Sequence, residues 1–148
     1  MTFSDVDSIP KTGAAGEWLE ADGAGETGLV YRLQAQVVDF TISCRQSDKS
    51  LTVKSAFTGA APKVGDVASV QLGATLADAS VIDEAGLAGP GAVAVRTMLT
   101  LDLLYALANA RSIGLTYRGA FTGTGDDDAG KLRAFANKCA GLTGMTPP

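Results

Sequence analysis

The chain contains no histidine, only two cysteines, and charged side chains at just 19% of its 148 positions. The lack of histidine excludes Ser–His and Cys–His nucleophiles, histidine general bases and imidazole metal ligands. No apolar run reaches the roughly 18 residues that a membrane-spanning helix needs, so the sequence predicts no transmembrane segment. These absences point away from the commonest hydrolases and from integral membrane proteins.

Positive charge is also scarce, because 12 lysines and arginines face 16 aspartates and glutamates, giving a net charge of −4. Nucleic-acid binding depends mainly on Lys and Arg side chains that neutralise phosphates. The sequence therefore predicts no nucleic-acid partner.

The N-terminus, MTFSDVDSIPKTG, has neither a basic start nor an apolar stretch. Either Met1 replaces a removed signal peptide or the protein is not exported, and we favour the first.

Hydrophobic residues make up 46% of the chain, enough for one buried core, and neither a repeat nor a linker divides it. We expect a flexible arm over residues 1–16, a single β-rich domain over 17–142 and a tail over 143–148. Polar and apolar residues alternate with a period of two, which predicts strands. These cover residues 29–33, 40–45, 51–53, 68–72, 76–82, 93–99 and, as the last strand, 113–117.

Two segments instead have helical spacing. Leu101, Leu104, Tyr105 and Ala108 predict one helix, with Thr100 as its N-cap. Near the end of the chain, the positions i, i+3, i+4 and i+7 are apolar, and Gly141 is the expected stop; these positions are Leu132, Phe135, Ala136 and Cys139. The predicted fold is mainly β: an antiparallel β-sandwich of about seven or eight strands with one inserted and one C-terminal helix.

The two cysteines are expected to pair. Cys44 lies on the apolar face of its predicted strand, and Cys139 lies on the apolar stripe of the last helix. If the two elements pack together, a Cys44–Cys139 disulfide would close a loop that adds up to about 4–5 kcal/mol of stability in the chain-entropy account. Two unrelated buried thiols are the alternative. A disulfide would favour an exported protein.

Three short patterns suggest ligands, and each has a simpler explanation. Residues 23–28 match G-x-G-x-x-G, but they precede a strand instead of following one, so we interpret them as a turn. The aspartates at 126–128 could bind Ca²⁺, yet an EF-hand register fails at its last ligand, and helix capping explains them. Arg45, Lys49 and Lys54 are candidate contacts for an anionic group or a partner, or a solvated hairpin. The sequence thus predicts no catalytic residue, metal site or cofactor.

Four features together resemble small exported proteins of Gram-negative bacteria, namely the invasion-associated locus B family and the periplasmic accessory proteins of type VI secretion. They are Trp18, the segment FTISC at 40–44, LTLDLLYALANARSIGLTY at 99–117 and KLRAFANKC at 131–139. The resemblance implies a β-sandwich with peripheral helices in the periplasm. It supplies no catalytic residues.

The leading hypothesis is a non-enzymatic binding or accessory protein, periplasmic or secreted, that acts through a protein partner. One alternative is a structural coat or particle component of the virion type, and another is a histidine-free hydrolase that works through carboxylates. A homo-oligomer is compatible with each of them.

Overall fold

The computed structural model describes residues 16–33, 39–56, 63–82, 92–125, 127 and 130–145. These residues form nine antiparallel strands and two helices, which confirms the mainly β class with one inserted and one C-terminal helix. The predicted arm lies outside the described residues except for Gly16. The elements are β1 Gly16–Glu20, β2 Glu26–Leu33, β3 Asp39–Arg45, β4 Ser50–Ala56, β5 Val67–Leu72, β6 Thr75–Val81, β7 Ala92–Met98, α1 Leu101–Asn109, β8 Ile113–Tyr117, β9 Ala120–Gly123 and α2 Lys131–Thr143.

All nine strands belong to one sheet in the order β1-β2-β3-β4-β7-β6-β5-β8-β9. β6 and β7 share only two residue pairs, Ser80 with Arg96 and Val81 with Val95. We call β1–β4 and β7 the first half of the sheet, and β5, β6, β8 and β9 the second half.

The sheet folds back on itself, so that its two halves face each other as in a sandwich. The hydroxyl oxygens of Ser55 on β4 and Thr122 on β9 lie 2.6 Å apart. These strands are five positions apart in the sheet, which would place them about 24 Å apart if the sheet were flat. The contact between the two hydroxyls therefore requires strong curvature.

The inner faces of both halves and the two helices enclose one hydrophobic core. α2 packs on β2 and β3, while α1 packs on α2 and β5. Cys44 and Cys139 are fully buried and form the expected disulfide, with their Cα atoms 5.7 Å apart. The bridge thus ties the last helix to the middle of the first half.

Two local predictions are wrong. The chain does not end its sheet at Tyr117, because Arg118 and Gly119 both adopt positive φ and turn it into β9. α2 continues through Gly141 and ends where Gly144 adopts φ 75°. The inserted helix α1 forms as predicted; it buries Leu103, Leu104 and Leu107 and leaves Leu101 and Tyr105 exposed. The expected N-cap is confirmed, since the hydroxyl of Thr100 accepts the amide of Leu103 at 3.2 Å.

Candidate binding surface

The outer face of the first half carries charges of both signs. Alternation along each strand places these side chains opposite the core, and the cross-strand registers align them. The charged members are Glu17, Glu26, Arg32, Arg45, Lys54 and Arg96. A mixed, charged surface of this kind is well solvated.

The candidate anion contacts all lie on or beside this face, but the structure does not gather them. Arg45 and Ser50 hold the carboxylate of Asp48, at 2.6 Å from the Arg45 Nη2 and 2.6 Å from the Ser50 hydroxyl. These two bonds, of which the one from Arg45 has the larger effect, keep the pKa of Asp48 well below its usual value. Lys49 occupies the turn with φ 51°. Lys54 lies four residues along β4 from Ser50, about 13 Å away.

Arg96 is a basic residue of this face that the sequence prediction missed. Its Nε donates to the hydroxyl of Thr52 at 3.1 Å, because β7 pairs with β4. Thr52 and Arg96 are 44 residues apart in the sequence, and no local pattern indicates their pairing.

The outer face of the second half differs sharply in its chemistry. We call it the low-charge face, because among its described residues only Asp78 is charged. Strand registers align its members in neighbouring rows. They are Val67, Ser69, Gln71, Leu76, Asp78, Ser80, Thr116 and Phe121, with Gly114 and Gly123.

Large apolar side chains are exposed on this face. Val67 is 65% exposed, Leu76 is 68% exposed and Phe121 is 58% exposed. Val64, in the turn before β5, is also exposed. By contrast, Met98 is the one strongly exposed large apolar side chain among the described residues on the outer face of the first half. Val67 and Leu76 lie at opposite ends of the β5–β6 pair, because Val67 pairs with Ser80 and Leu76 pairs with Gln71. The low-charge face therefore offers separate exposed apolar side chains on a surface of little charge.

The ring of Phe121 covers a pair of glycines at the border of the low-charge face. Gly114 on β8 faces Gly123 on β9. A Cβ at Gly114 would lie 2.5 Å from the ring of Phe121, and one at Gly123 would lie 2.8 Å from it. Only glycine at these two positions lets the ring lie against the backbone.

Polar contacts hold the turns at one end of this half. The Tyr117 hydroxyl donates to Asp66 at 2.7 Å and accepts the amide of Lys63 at 3.2 Å. Arg118 also reaches the same Asp66 oxygen, at 3.0 Å. The bond from Tyr117, followed by that from Arg118, lowers the pKa of Asp66 below its usual value.

A second polar cluster links α2 to the β1–β2 connection. Lys138 Nζ lies 3.0 Å from Asp22 and 3.3 Å from Glu20. The hydrogen bond from the Thr27 hydroxyl has the largest effect on the pKa of Asp22, which it lowers, and Lys138 lowers it further. In return, Asp22 and Glu20 raise the pKa of Lys138. Because Lys138 precedes Cys139, these contacts reinforce the disulfide-linked packing of α2.

The glycine-rich string at 23–28 and the aspartate string have structural roles. Gly23 and Gly25 lie in the β1–β2 turn, and Gly28 lies within β2, where the carbonyl oxygen of Ile42 approaches closely. Asp127 is buried, and its carboxylate accepts the amide of Leu132 at 2.6 Å, as expected for capping of α2. Asp126 and Asp128 lie outside the described residues.

The part of the chain that the structure describes contains no group of three or more His, Cys, Asp or Glu side chains placed to bind a metal ion. Within that part, neither helix combines the length and the apolar content required to cross a membrane. Comparison with known proteins finds no matching family model, no matching curated protein and no matching solved structure.

Proposed function

We propose that this chain is a non-enzymatic, exported binding or accessory protein of the periplasm that acts through a protein partner. The observation that carries the proposal is the low-charge face, where Val67 and Leu76 are about two-thirds exposed on adjacent strands. Strands of a curved sheet hold these side chains in place. A partner would therefore meet a preformed surface and lose little conformational entropy at this site.

The disulfide supports the proposed location of the chain in the periplasm. A bridge between Cys44 and Cys139 persists in an oxidising compartment such as the periplasm and is rare in the reducing cytosol. The resemblance to exported proteins of Gram-negative bacteria agrees with this. Alkylating the chain from intact cells under denaturing conditions tests the location, since both sulfurs are buried in the folded protein: an exported chain keeps both cysteines unlabelled until it is reduced. Two labelled cysteines without reduction would remove the argument for export.

The partner is tested by photo-crosslinking in cells of the source organism. A photoreactive residue replaces Ser69, at the centre of the low-charge face, or Ser43, at the centre of the outer face of the first half. We expect a discrete adduct with another protein from position 69 and none from position 43.

A matched pair of substitutions sharpens this experiment. Leu76→Lys should abolish the adduct, whereas Met98→Lys, which changes an equally exposed apolar side chain on the other half, should leave it unchanged. Both variants should melt in urea within about 0.5 kcal/mol of the parent, because both sites are at the surface. Adducts of equal yield from both halves, or none from position 69, would contradict the proposal.

A further inference from the structure

The ring of Phe121 lies flat on the outer surface of the sheet. Its Cε1 and Cζ atoms are 2.5 and 2.6 Å from the position of a Cβ at Gly114, and its Cζ and Cε2 atoms are 2.8 and 2.9 Å from that of a Cβ at Gly123. Because these glycines face each other on β8 and β9, the width of the ring runs across both strands. One face of the ring therefore covers the backbone, and the other belongs to the surface, since Phe121 is 58% exposed.

The glycine pair makes this ring a preformed platform. The ring occupies the space that side chains at Gly114 and Gly123 would fill, and the backbone of both strands supports it from below. A ligand that stacks on the outer face of Phe121 meets a ring that is already oriented. The side chain then loses little conformational entropy on binding.

A row of hydrogen-bonding side chains starts at this platform. Thr116 on β8 is the direct cross-strand partner of Phe121, Ser69 on β5 is the partner of Thr116, and Asp78 on β6 is the partner of Ser69. We call these four residues the Phe121 row. Because neighbouring strands are about 4.8 Å apart, the row extends over about 14 Å.

The chemistry of the Phe121 row selects the class of ligand. A nucleotide would bring phosphates to a chain with a net charge of −4, and a cation would find one carboxylate, that of Asp78, at the far end of the row. An aliphatic ligand would cover the hydroxyls of Thr116 and Ser69 without bonding to them, which costs free energy. The row thus favours a neutral ligand that is apolar on one face and polar at its edges.

A pyranose with equatorial hydroxyls has this character. Its axial C–H groups form an apolar face, which packs on the electron-rich face of an aromatic ring such as that of Phe121. Its hydroxyls point outward in the plane of the sugar, where the hydroxyls of Thr116 and Ser69 and the carboxylate of Asp78 can bond to them. In a β-linked chain, successive units extend along one direction, as the row does.

We propose that the Phe121 row binds a neutral, β-linked saccharide, with one pyranose stacked on Phe121 and the following units along Thr116, Ser69 and Asp78. The surface is open instead of concave, so we expect a Kd on the order of 1 mM. The inference goes beyond the proposed function, which depends on Val67 and Leu76 and on a protein partner.

NMR titration of the purified, oxidised chain with cellotriose tests the proposal. We expect saturable shifts of the amide signals of Thr116, Phe121 and Gly123. The axial protons of one sugar unit should move upfield, because they lie above the face of an aromatic ring. Sorbitol is the control ligand, since it carries hydroxyls but has no rigid C–H face, and it should cause neither change.

Three variants separate stacking from hydrogen bonding. Phe121→Leu should weaken binding of cellotriose about tenfold, whereas Phe121→Trp, which keeps an aromatic face, should preserve it. Thr116→Val removes one hydroxyl from a side chain of the same shape and should weaken binding about threefold to tenfold. The matched control is Tyr105→Leu, which changes an exposed aromatic side chain on α1 and should leave the Kd unchanged. Thermal melting checks that every variant folds.

The proposal is wrong if cellotriose causes no saturable shift, if sorbitol causes the same shifts, or if Phe121→Leu binds cellotriose like the parent. It is also wrong if no saccharide binds while Phe121→Leu removes the adduct formed in cells from position 69, because the ring then belongs to the protein interface. The proposed function is judged by whether that adduct forms at all, so the two proposals can fail separately.

Discussion

The two halves of the sheet divide stability and surface chemistry between them. In the first half, β1 has five residues, β2 has eight, and β3, β4 and β7 have seven each. α2 covers the inner face of β2 and β3, and the disulfide fastens it there. In the second half, β5 has six residues, β6 seven, β8 five and β9 four, and no disulfide joins the described residues of these strands. The outer faces contrast in the same way, one charged and the other of low charge.

The contrast between the two halves has a physical explanation. Exposed apolar side chains such as Val67 and Leu76 gain little from folding, because they remain in water. A domain that carries them must obtain its stability from other contacts. The bridge and the buried aromatic ring of Phe135 supply such contacts in the first half. The comparison predicts that substitutions at α2 are costly and that changes on the low-charge face are nearly free.

The largest effect should come from removing the disulfide. Cys44→Ala combined with Cys139→Ala releases a loop with a sequence separation of 95, and the chain-entropy account gives a loss of about 4–5 kcal/mol in the free energy of unfolding. Urea melts measure this loss. Hydrogen exchange should show that β2 and β3 lose more protection than β5 and β8. Equal loss in all four strands would break the comparison between the halves.

The next largest effect is expected at Phe135. This ring is 2% exposed, so Phe135→Ala should lower the free energy of unfolding by about 3–5 kcal/mol, the range for emptying a packed aromatic site. The exposed neighbour Arg133, which donates to the carbonyl of Ala108 at 3.1 Å, is the control. Arg133→Ala should cost less than about 0.5 kcal/mol.

Because the bridge holds α2 near the sheet even after packing is lost, these urea melts need both the oxidised and the reduced protein. A Phe135→Ala variant that melts like the parent in both states would show that α2 contributes little to the core.

The sequence predicted those features that depend on local periodicity. Alternation identified most strands, and the apolar stripe of α2 together with that of β3 was enough to pair Cys44 with Cys139. Local patterns could not identify the buried face of α1, because apolar residues occupy both of its sides, and its packing on β5 and α2 decides between them. β9 was missed because a four-residue strand that follows Gly119 and ends with Gly123 has little periodicity.

The low-charge face could not be predicted for a different reason. Leu76 opened one predicted strand and Val67 lay just before another, and only the register between β5 and β6 places them on one outer surface. The candidate contacts Arg45, Lys49 and Lys54 were identified by their closeness in sequence. Closeness in sequence is a poor guide on a sheet, where Lys54 lies beside Ala94 and Thr41 instead.

The smallest effect, and the finest comparison between the halves, concerns one carboxylate in each. Asp48 in the first half and Asp66 in the second both have a lowered pKa, since hydrogen bonds favour their charged forms. A pKa lower in the folded than in the unfolded state gives stability that is present above about pH 4 and is lost as the pH falls towards the folded value. Acid should therefore weaken both hairpins.

Urea melts between about pH 6 and pH 2 should show this decline in the free energy of unfolding, and Asp48→Asn should flatten it more than Asp66→Asn, because the pKa of Asp48 is lowered further. Both groups are exposed to solvent, so the effect is small and should shrink further at high salt.

Tyr117→Phe removes the main donor to Asp66 without changing any charge. Carboxyl NMR should then show the pKa of Asp66 rising towards its usual value while that of Asp48 stays unchanged. A rise at both sites would mean that the two halves are electrostatically coupled, and their separation would hold for packing and outer-face chemistry but not for charge.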